Sequence, residues 1–196
     1  MWVVVGLGNP GARYARSRHN VGFRVVDRLA ARWRVDVARE AHRALLGEAH
    51  RDGERVLLVK PQTFMNVSGE SVSSLQRFYR FDPTHLIAVH DDLDLGVGRV
   101  RVRTGGGPGG HHGIESLIGA LDEREFPRVK VGIGRPPAGW ETADYVLGVA
   151  RGDEAAPLAA AEERAADAVE LLLAEGPARA MNRINQKEVP HGGSAL

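Results

Sequence analysis

His19 is the first residue whose type and position could do chemistry. It lies in Ser17-Arg18-His19-Asn20, just after a glycine-rich turn (Gly6 to Gly11) that ends an apolar N-terminal run. Histidine changes its charge near neutral pH, so an imidazole beyond the end of a strand is suited to proton transfer. A single loop histidine is also common as a surface or structural residue. His19 alone therefore leaves a catalytic and a structural interpretation open.

The same turn also matches a dinucleotide-binding pattern, because Gly6, Gly8 and Gly11 follow a strand with the spacing Gly-x-Gly-x-x-Gly. That motif requires a helix that opens within the glycines, so that its N-terminus can hold a pyrophosphate. Here the helical spacing of apolar residues begins only at Val21. The connection is too long for the nucleotide fold.

Three further loops at predicted strand ends carry polar or special residues, and strand ends are where α/β proteins place their chemistry. The loops are Thr63 to Asn66, His90 to Asp94, and Gly105 to Gly113. Asn66 could instead cap a helix, and the acids after His90 could simply be solvated. The third loop is too rich in glycine to build a core, so it brings backbone close to a ligand or moves; it is not a P-loop, because no Lys-Ser/Thr follows.

Basic residues alternate along two predicted strands. Arg99, Arg101 and Arg103 share one face of the first, and Arg128 and Lys130 share a face of the second. This basic stripe is either a track for nucleic-acid phosphates or the solvated edge of an arginine-rich sheet. The net charge of +1 does not decide between them.

Strand and helix patterns alternate along the chain. We predict strands at 2–5, 43–50, 54–60, 85–90, 97–103 and 128–134, and helices at 21–33, 66–81 with Ser68 as its cap, about 113–121, 155–175 and 178–185. Asp52-Gly53 predicts a hairpin turn. The alternation indicates a single-domain three-layer α/β/α sandwich around a mixed, mostly parallel twisted sheet. We expect residues 1–185 to form this domain and residues 186–196 to be a disordered C-terminal tail.

Composition bounds the class of protein. The 196 residues are 43% hydrophobic, which suffices for one sizeable core. The chain contains no cysteine, which excludes disulfides and thiol catalysis. Neither a targeting signal nor an apolar run of membrane-spanning length is visible. We therefore expect a soluble, cytoplasmic protein.

Five ordered motifs resemble bacterial peptidyl-tRNA hydrolase. They are Gly6-Leu7-Gly8-Asn9-Pro10-Gly11 with Tyr14, Arg18-His19-Asn20, Thr63-Phe64-Met65-Asn66, His90-Asp91-Asp92-Leu93-Asp94, and Gly109-Gly110-His111. The resemblance runs from Val3 to about Asn185. It implies hydrolysis of the ester between the peptide and the terminal ribose of peptidyl-tRNA, which recycles tRNA after abortive translation. It implies no metal and no organic cofactor, and we expect a monomer without an obligate protein partner.

The resemblance also implies roles for particular residues. His19 would take a proton from the attacking water, and Asp91 would orient and support it. Asn9 and Asn66 would hold the peptide or stabilise negative charge, and Tyr14 and Met65 would line the cleft. His111 and His112 would contact the substrate. Arg103 and Lys130 would bind the terminal phosphate of the tRNA.

Two positions depart from the family pattern. His112 stands where the family typically has Asn, and Pro108 replaces a residue that is commonly basic or His. An imidazole is bulkier than an amide and can titrate. The departures put the contacts of this loop with substrate in question.

Two other functions are compatible with parts of the sequence. A metal-dependent hydrolase could use His90, Asp91, Asp94, His111 and His112, although their spacing matches no ordered ligand motif. A noncatalytic RNA-binding module would need only the basic stripe. It would not require His19, Asn9, Asn66 and Asp91 to converge.

Overall fold

The structure is a computed structural model, and it describes residues 1–186. Helices cover both faces of a single sheet. The strands are β1 (Trp2–Gly6), β2 (Arg39–Ala41), β3 (Ala44–Arg51), β4 (Glu54–Pro61), β5 (Leu86–Asp92), β6 (Val100–Thr104) and β7 (Pro127–Gly132). The α-helices are α1 (Val21–Trp33), α2 (Ser68–Tyr79), α3 (His112–Leu121), α4 (Thr142–Leu147), α5 (Ala155–Glu175) and α6 (Pro177–Ile184).

The sheet is mixed, as predicted, with the strand order β2-β3-β4-β1-β5-β7-β6. The four central strands β4, β1, β5 and β7 are parallel. The predicted hairpin forms β3 and β4, and β2 extends it as a third antiparallel strand. At the other edge β6 pairs antiparallel with β7, an arrangement that the alternation of elements did not predict.

Alternation along the strands divides the interior into two cores. Val3 and Val5 of β1 pack towards α2 and α3, whereas Val4 packs towards α1, α5 and α6. Successive side chains of a strand point to opposite faces, so a continuous apolar strand such as β1 must be covered on both sides. This is the predicted three-layer sandwich.

Two predictions about local structure need correction. Ser68 does not cap α2: it is the first residue of the helix, the preceding residue makes no side-chain cap, and the Ser68 hydroxyl donates to the Met65 carbonyl oxygen at 2.9 Å. A 3-10 turn, Met65–Val67, precedes the helix and occupies the position where a capping residue was expected. The short helix α4 was not predicted at all.

The C-terminal tail predicted at 186–196 falls outside the described residues except for residue 186, and the domain boundary at 185 stays a prediction. None of the helices formed by residues 1–186 combines the length and apolar character that a bilayer crossing needs.

A close contact between β1 and α1 brings the predicted catalytic segment to the sheet. A Cβ atom on Gly6 would lie 2.2 Å from the carbonyl oxygen of Gly22, and one on Gly22 would lie 2.4 Å from that of Val89. Glycine is required at both positions, because any side chain would push the helix away. The start of α1, and the 3-10 turn Arg18–Asn20 before it, therefore lie against the carboxyl ends of β1 and β5.

Candidate active site

A cleft of about 910 Å³ opens at the edge of the sheet where the parallel strands end. The loops after β1, β4 and β5 line it together with the glycine-rich loop before α3 and with α4. Every predicted site residue except Arg103 contributes to its wall: Asn9, Tyr14, His19, Met65, Asn66, Asp91, His111, His112 and Lys130. Segments far apart in the sequence thus converge on one surface.

His19 and Asp91 are in direct contact. Nδ1 of His19 lies 2.9 Å from both Oδ1 and Oδ2 of Asp91. Asp91 is only 3% exposed near the end of β5, whereas His19 is partly accessible from the cleft. A carboxylate accepts hydrogen bonds, so this contact holds the proton on Nδ1 and leaves the Nε2 lone pair of His19 available.

His111 is a second imidazole on the same carboxylate. Its Nε2 lies 2.9 Å from Asp91 Oδ1. Its Nδ1 accepts from the backbone N–H groups of Gly113, at 3.1 Å, and Ile114, at 3.3 Å, so His111 is the N-cap of α3. Because Nδ1 must carry a lone pair to accept these bonds, the proton of the neutral ring is on Nε2 and is donated to Asp91.

The two imidazoles stabilise the ionised form of Asp91. Burial alone would raise the pKa of this carboxyl group, but the adjacent His111 and His19 lower it well below its usual range. Asp91 is therefore a permanent carboxylate that holds both rings. It is placed to stabilise positive charge on His19 and not to exchange protons itself.

His90 is a third histidine of the site and contacts both Asp91 and His111. Its Nδ1 donates to the backbone oxygen of Asp91 at 2.7 Å, and its ring stands edge-on to that of His111, with the centroids 4.7 Å apart. Burial, together with the neighbouring His111, places the pKa of His90 well below the ordinary value of histidine. His90 is consequently neutral, and its Nε2 has no hydrogen-bond partner within residues 1–186.

Asn9 joins two of the cleft loops. The buried Asn20 side chain accepts from the Asn9 backbone N–H at 2.9 Å and donates to the Asn9 carbonyl at 2.8 Å. The Asn9 side chain in turn accepts from the Met65 N–H through Oδ1, at 2.8 Å. These bonds orient the Asn9 amide, whose Nδ2 makes no hydrogen bond among the described residues. Asn20 therefore positions Asn9. It belongs to the Arg18-His19-Asn20 motif, but only the structure reveals this role.

The remaining predicted lining residues differ in exposure. Met65 is buried beneath the cleft, Tyr14 is half-buried, and Asn66 is exposed and is not the cap of α2. The side chain of His112 is 72% exposed, with Nδ1 3.5 Å from Glu115. Asn66 and His112 are therefore free to meet a ligand that enters from solvent.

Arg18 was not assigned a role by the sequence, although it lies in the His19 motif. Its buried guanidinium stacks over the Tyr145 ring at 4.2 Å from the centroid, donates to the Tyr145 carbonyl at 3.3 Å, and pairs with Glu154 at 2.5 Å. Tyr145 belongs to α4, which lines the cleft. Arg18 thus ties the turn that carries His19 to the opposite wall.

The predicted basic stripe is only partly correct. Arg103 is exposed on β6 and lies opposite Arg128 of β7. Lys130 lies opposite Arg101 and forms an ion pair with Asp92. Arg99 lies before the first residue of β6. Arg128 shares the face of Lys130, but it is covered by the glycine-rich loop and does not present its charge to solvent. The alternation of side chains along a strand predicts the face of the sheet on which each residue lies, but it does not reveal which segment covers that face.

The metal-ligand hypothesis does not fit the arrangement. Of the five suggested ligands, His112 points to solvent, Asp94 pairs with Arg135, and Nδ1 of His90 is bonded to backbone. Potential ligand atoms of His19, Asp91 and His111 do lie within 4.8 Å of one another. However, coordination through His111 Nε2 would move its proton to Nδ1, which faces two backbone N–H donors. The donor set therefore favours hydrogen bonding over metal binding.

Comparison with known proteins identifies the family of this chain. Residues 3–191 match the sequence model of the family described as Peptidyl-tRNA hydrolase. The protein of that name from Chloroflexus aurantiacus is 49% identical over 186 residues, which cover 94% of this chain and 99% of that protein. The protein of the same name from Symbiobacterium thermophilum is 48% identical over 185 residues, covering 93% and 98%. The crystal structure of peptidyl-tRNA hydrolase from Acinetobacter baumannii has 36% identity and a TM-score of 0.88, and the match covers 94% of each chain. This chain belongs to the peptidyl-tRNA hydrolase family.

Proposed function

We propose that the chain hydrolyses the ester bond between the peptide and the terminal ribose of peptidyl-tRNA, with His19 as the general base. The observation that carries this proposal is the 2.9 Å contact of His19 Nδ1 with the buried Asp91 carboxylate, in an open cleft. Membership of the family supports the same reaction. Ester hydrolysis at neutral pH needs a base of this kind, because water is a poor nucleophile.

The proton transfers follow from the tautomer of His19. Nε2 accepts a proton from water as the oxygen attacks the ester carbonyl carbon, and Asp91 stabilises the resulting imidazolium. The tetrahedral intermediate then collapses with cleavage of the bond between the carbonyl carbon and the ribose oxygen. The proton on Nε2 passes to that ribose oxygen, so the products are a free peptide carboxyl group and a tRNA with a free ribose hydroxyl.

Amide donors are available for the substrate carbonyl groups. Nδ2 of Asn9 is held in the cleft wall by the bond between Asn9 Oδ1 and the Met65 N–H. Such a fixed donor stabilises developing oxyanion charge without having to reorganise. Asn66 is more exposed, so we assign it to holding the peptide. Met65 and Tyr14 supply apolar wall beside these amides.

The two histidines of the glycine-rich loop have different roles in this account. Both ring nitrogens of His111 are occupied by Asp91 and by the start of α3, so His111 supports the carboxylate rather than donating to the substrate. His112 is exposed at the mouth of the cleft. We propose that it takes the substrate contact that the family usually makes with Asn.

Lys130 and Arg103 are proposed to bind the terminal phosphate of the tRNA. Lys130 lines the cleft, and Arg103 is exposed on the neighbouring strand. Lys130 forms an ion pair with Asp92, so phosphate binding would exchange one anionic partner for another. We further propose that the enzyme acts in the cytoplasm, where translation produces peptidyl-tRNA, and that it acts as a monomer. The mechanism assigns no step to a metal or cofactor.

Release of the peptide from an N-acetyl-aminoacyl-tRNA by the purified chain tests this function. We expect hydrolysis that persists when EDTA is added and that is lost in His19→Ala. Hydrolysis abolished by EDTA and restored by a divalent metal would favour the metal-dependent alternative. Binding of tRNA without ester cleavage would favour the noncatalytic RNA-binding module.

A further inference from the structure

Arg128 is a buried cation that the proposed reaction does not use. It lies on β7, two residues before Lys130, and only 3% of it is exposed. Alternation along the strand predicts an exposed residue of a phosphate-binding stripe. In the structure its guanidinium instead lies beneath the glycine-rich loop.

All the hydrogen bonds of Arg128 go to neutral backbone oxygens. Nη1 donates to the Gly107 carbonyl at 2.6 Å, and Nη2 donates to those of Gly106 at 2.5 Å and Arg124 at 3.0 Å. No carboxylate forms an ion pair with Arg128 in the part of the chain that the structure describes, and its Nε is buried without a partner. Burial accordingly lowers the pKa of Arg128 below the usual value of arginine.

The nearby Glu125 carboxylate favours the charged form of Arg128 electrostatically but forms no ion pair with it. Burying a cation without a directly paired carboxylate is unfavourable for folding. An apolar side chain of similar length could fill the same space at lower cost. The position therefore points to a role that depends on the donors of the guanidinium and on their geometry, since only arginine presents several N–H groups in a rigid fork.

The loop above Arg128 needs an external support. Gly105, Gly106, Gly109 and Gly110 all have positive φ, between 60° and 106°. Glycines at such angles give the loop its shape but provide no side chains to hold it. The bonds from Arg128 fix the Gly106 and Gly107 carbonyls to β7, which belongs to the rigid sheet.

The same loop delivers His111 to the catalytic carboxylate. His111 follows Gly110 directly and reaches Asp91 Oδ1 at 2.9 Å. Its backbone N–H donates to the Pro108 carbonyl at 3.1 Å, so the position of His111 depends on the turn immediately before it. A path thus runs from Arg128 to Gly107, through the adjoining Pro108 to His111, and from there to Asp91 and His19.

We propose that Arg128 is a positioning residue of the hydrolase: it holds the glycine-rich loop so that His111 donates to Asp91, and it does not bind tRNA phosphate. The catalytic part of this proposal rests on the proposed function. The structural part, the dependence of the bond between His111 and Asp91 on Arg128, is measurable without any substrate.

The kinetic test uses Arg128→Met, which removes the donors but keeps a long side chain, with hydrolysis of an N-acetyl-aminoacyl-tRNA as the readout. We expect kcat to fall by no more than about 10-fold, the loss expected for His111→Ala, because Arg128 acts through His111. KM should change by less than about twofold, and its salt dependence should be unaltered. When Arg128→Met is added to His111→Ala, kcat should fall by less than about a further twofold. The two effects should not add, because both substitutions remove the same bond between His111 and Asp91. Arg128→Lys, which keeps the charge but not the fork, should be impaired in the same non-additive way.

Arg124→Met is the matched control. It removes a neighbouring exposed positive charge, while Arg128 uses only the backbone carbonyl of Arg124. We expect this variant to keep the parental kcat.

NMR of the imidazole ¹⁵N–¹H groups supplies the substrate-free readout. The His111 Nε2–H signal should be present in the parent and in Arg124→Met, and it should be lost or shifted in Arg128→Met. An unchanged signal would overturn the proposal even if activity fell. Kinetic effects of Arg128→Met and His111→Ala that multiply fully would also overturn it, because the two residues would then act independently. A raised KM with a shallower salt dependence would overturn it as well and would assign Arg128 to phosphate binding. Failure of the proposed function would appear differently, as an N-acetyl-aminoacyl-tRNA that the parent protein does not cleave.

Discussion

Nδ1 of His19 lies 2.9 Å from both carboxylate oxygens of Asp91, although the two residues are 72 positions apart in the sequence. The first belongs to a 3-10 turn before α1, and the second lies near the carboxyl end of β5. The close packing of Gly22 against the end of β1 and against Val89 brings the two segments together. The contact fixes which nitrogen of His19 is free to act as a base.

The low pKa of Asp91 predicts an acid-dependent loss of stability. Its pKa in the folded protein is below the value of about 3.9 expected in the unfolded chain. The stabilisation is therefore fully present above the unfolded pKa and is lost as pH falls through the folded pKa. We expect Asp91→Asn to lower the free energy of unfolding by about 2 kcal/mol at pH 7, and this difference should shrink below about pH 4.

Denaturant unfolding between pH 7 and pH 2 measures the difference. Asp52→Asn is the matched control, since Asp52 is an exposed carboxylate in the hairpin turn. The difference in the free energy of unfolding between Asp52→Asn and the parent should not change with pH in this way. An Asp91→Asn difference that is independent of pH would show that the charge of Asp91 does not stabilise the fold.

His111 combines a structural and a catalytic role that two substitutions separate. His111→Ala removes both the N-cap of α3 and the donor to Asp91, so it should lose about 1 kcal/mol of stability and about 10-fold in kcat. His111→Asn keeps an oxygen that can cap the helix but is too short to reach Asp91 in the same way. We expect it to retain stability and to lose activity, as judged by thermal unfolding and steady-state kinetics. Full activity of His111→Asn would mean that the bond to Asp91 is dispensable.

Arg103 and Lys130 should affect binding of the tRNA rather than chemistry. Replacing either by Ala removes one phosphate contact, so the slope of log affinity against log salt concentration should fall by about one. The value of kcat at saturation should barely change. A minimal ester substrate without the tRNA body serves as the comparison, and an equal loss on that substrate would contradict a phosphate-binding role.

His112 tests the position where this chain departs from the family pattern. A neutral imidazole has one donor and one acceptor, and a protonated one has two donors, whereas an amide does not titrate. We expect His112→Asn to stay active and to lose an ionisation from the pH profile of kcat/KM. His112→Ala should lose efficiency. If both variants keep the parental profile and efficiency, the exposed ring makes no contact with substrate; an inactive Asn variant beside an active Ala variant would refute an amide-like role.

Helices and strands whose apolar residues follow a regular spacing within the segment itself were predicted from the sequence. The helical spacing of apolar residues predicted a helix at 155–175, and α5 occupies those residues. The apolar run before His90 likewise predicted β5. Such patterns act over adjacent turns or residues, so they are visible without knowing the rest of the fold.

The features missed by the sequence depend on contacts between distant segments. The helix α4 has only 6 residues and is held in place by Arg18, which lies more than a hundred residues earlier. Arg128 was assigned to the correct face, but the loop that covers it crosses from another part of the chain. The residues of the site were recognised from motifs, whereas the hydrogen bond from His111 to Asp91 required the fold.

Single-turnover hydrolysis of an N-acetyl-aminoacyl-tRNA by the parent, His19→Ala and Asp91→Asn tests the central claim most directly. We expect His19→Ala to bind the substrate normally but to cleave it about 100- to 10,000-fold more slowly. Asp91→Asn should be impaired less, because the imidazole can still bind the attacking water. Cleavage by folded His19→Ala within about threefold of the parent rate would contradict the role of His19 as the general base.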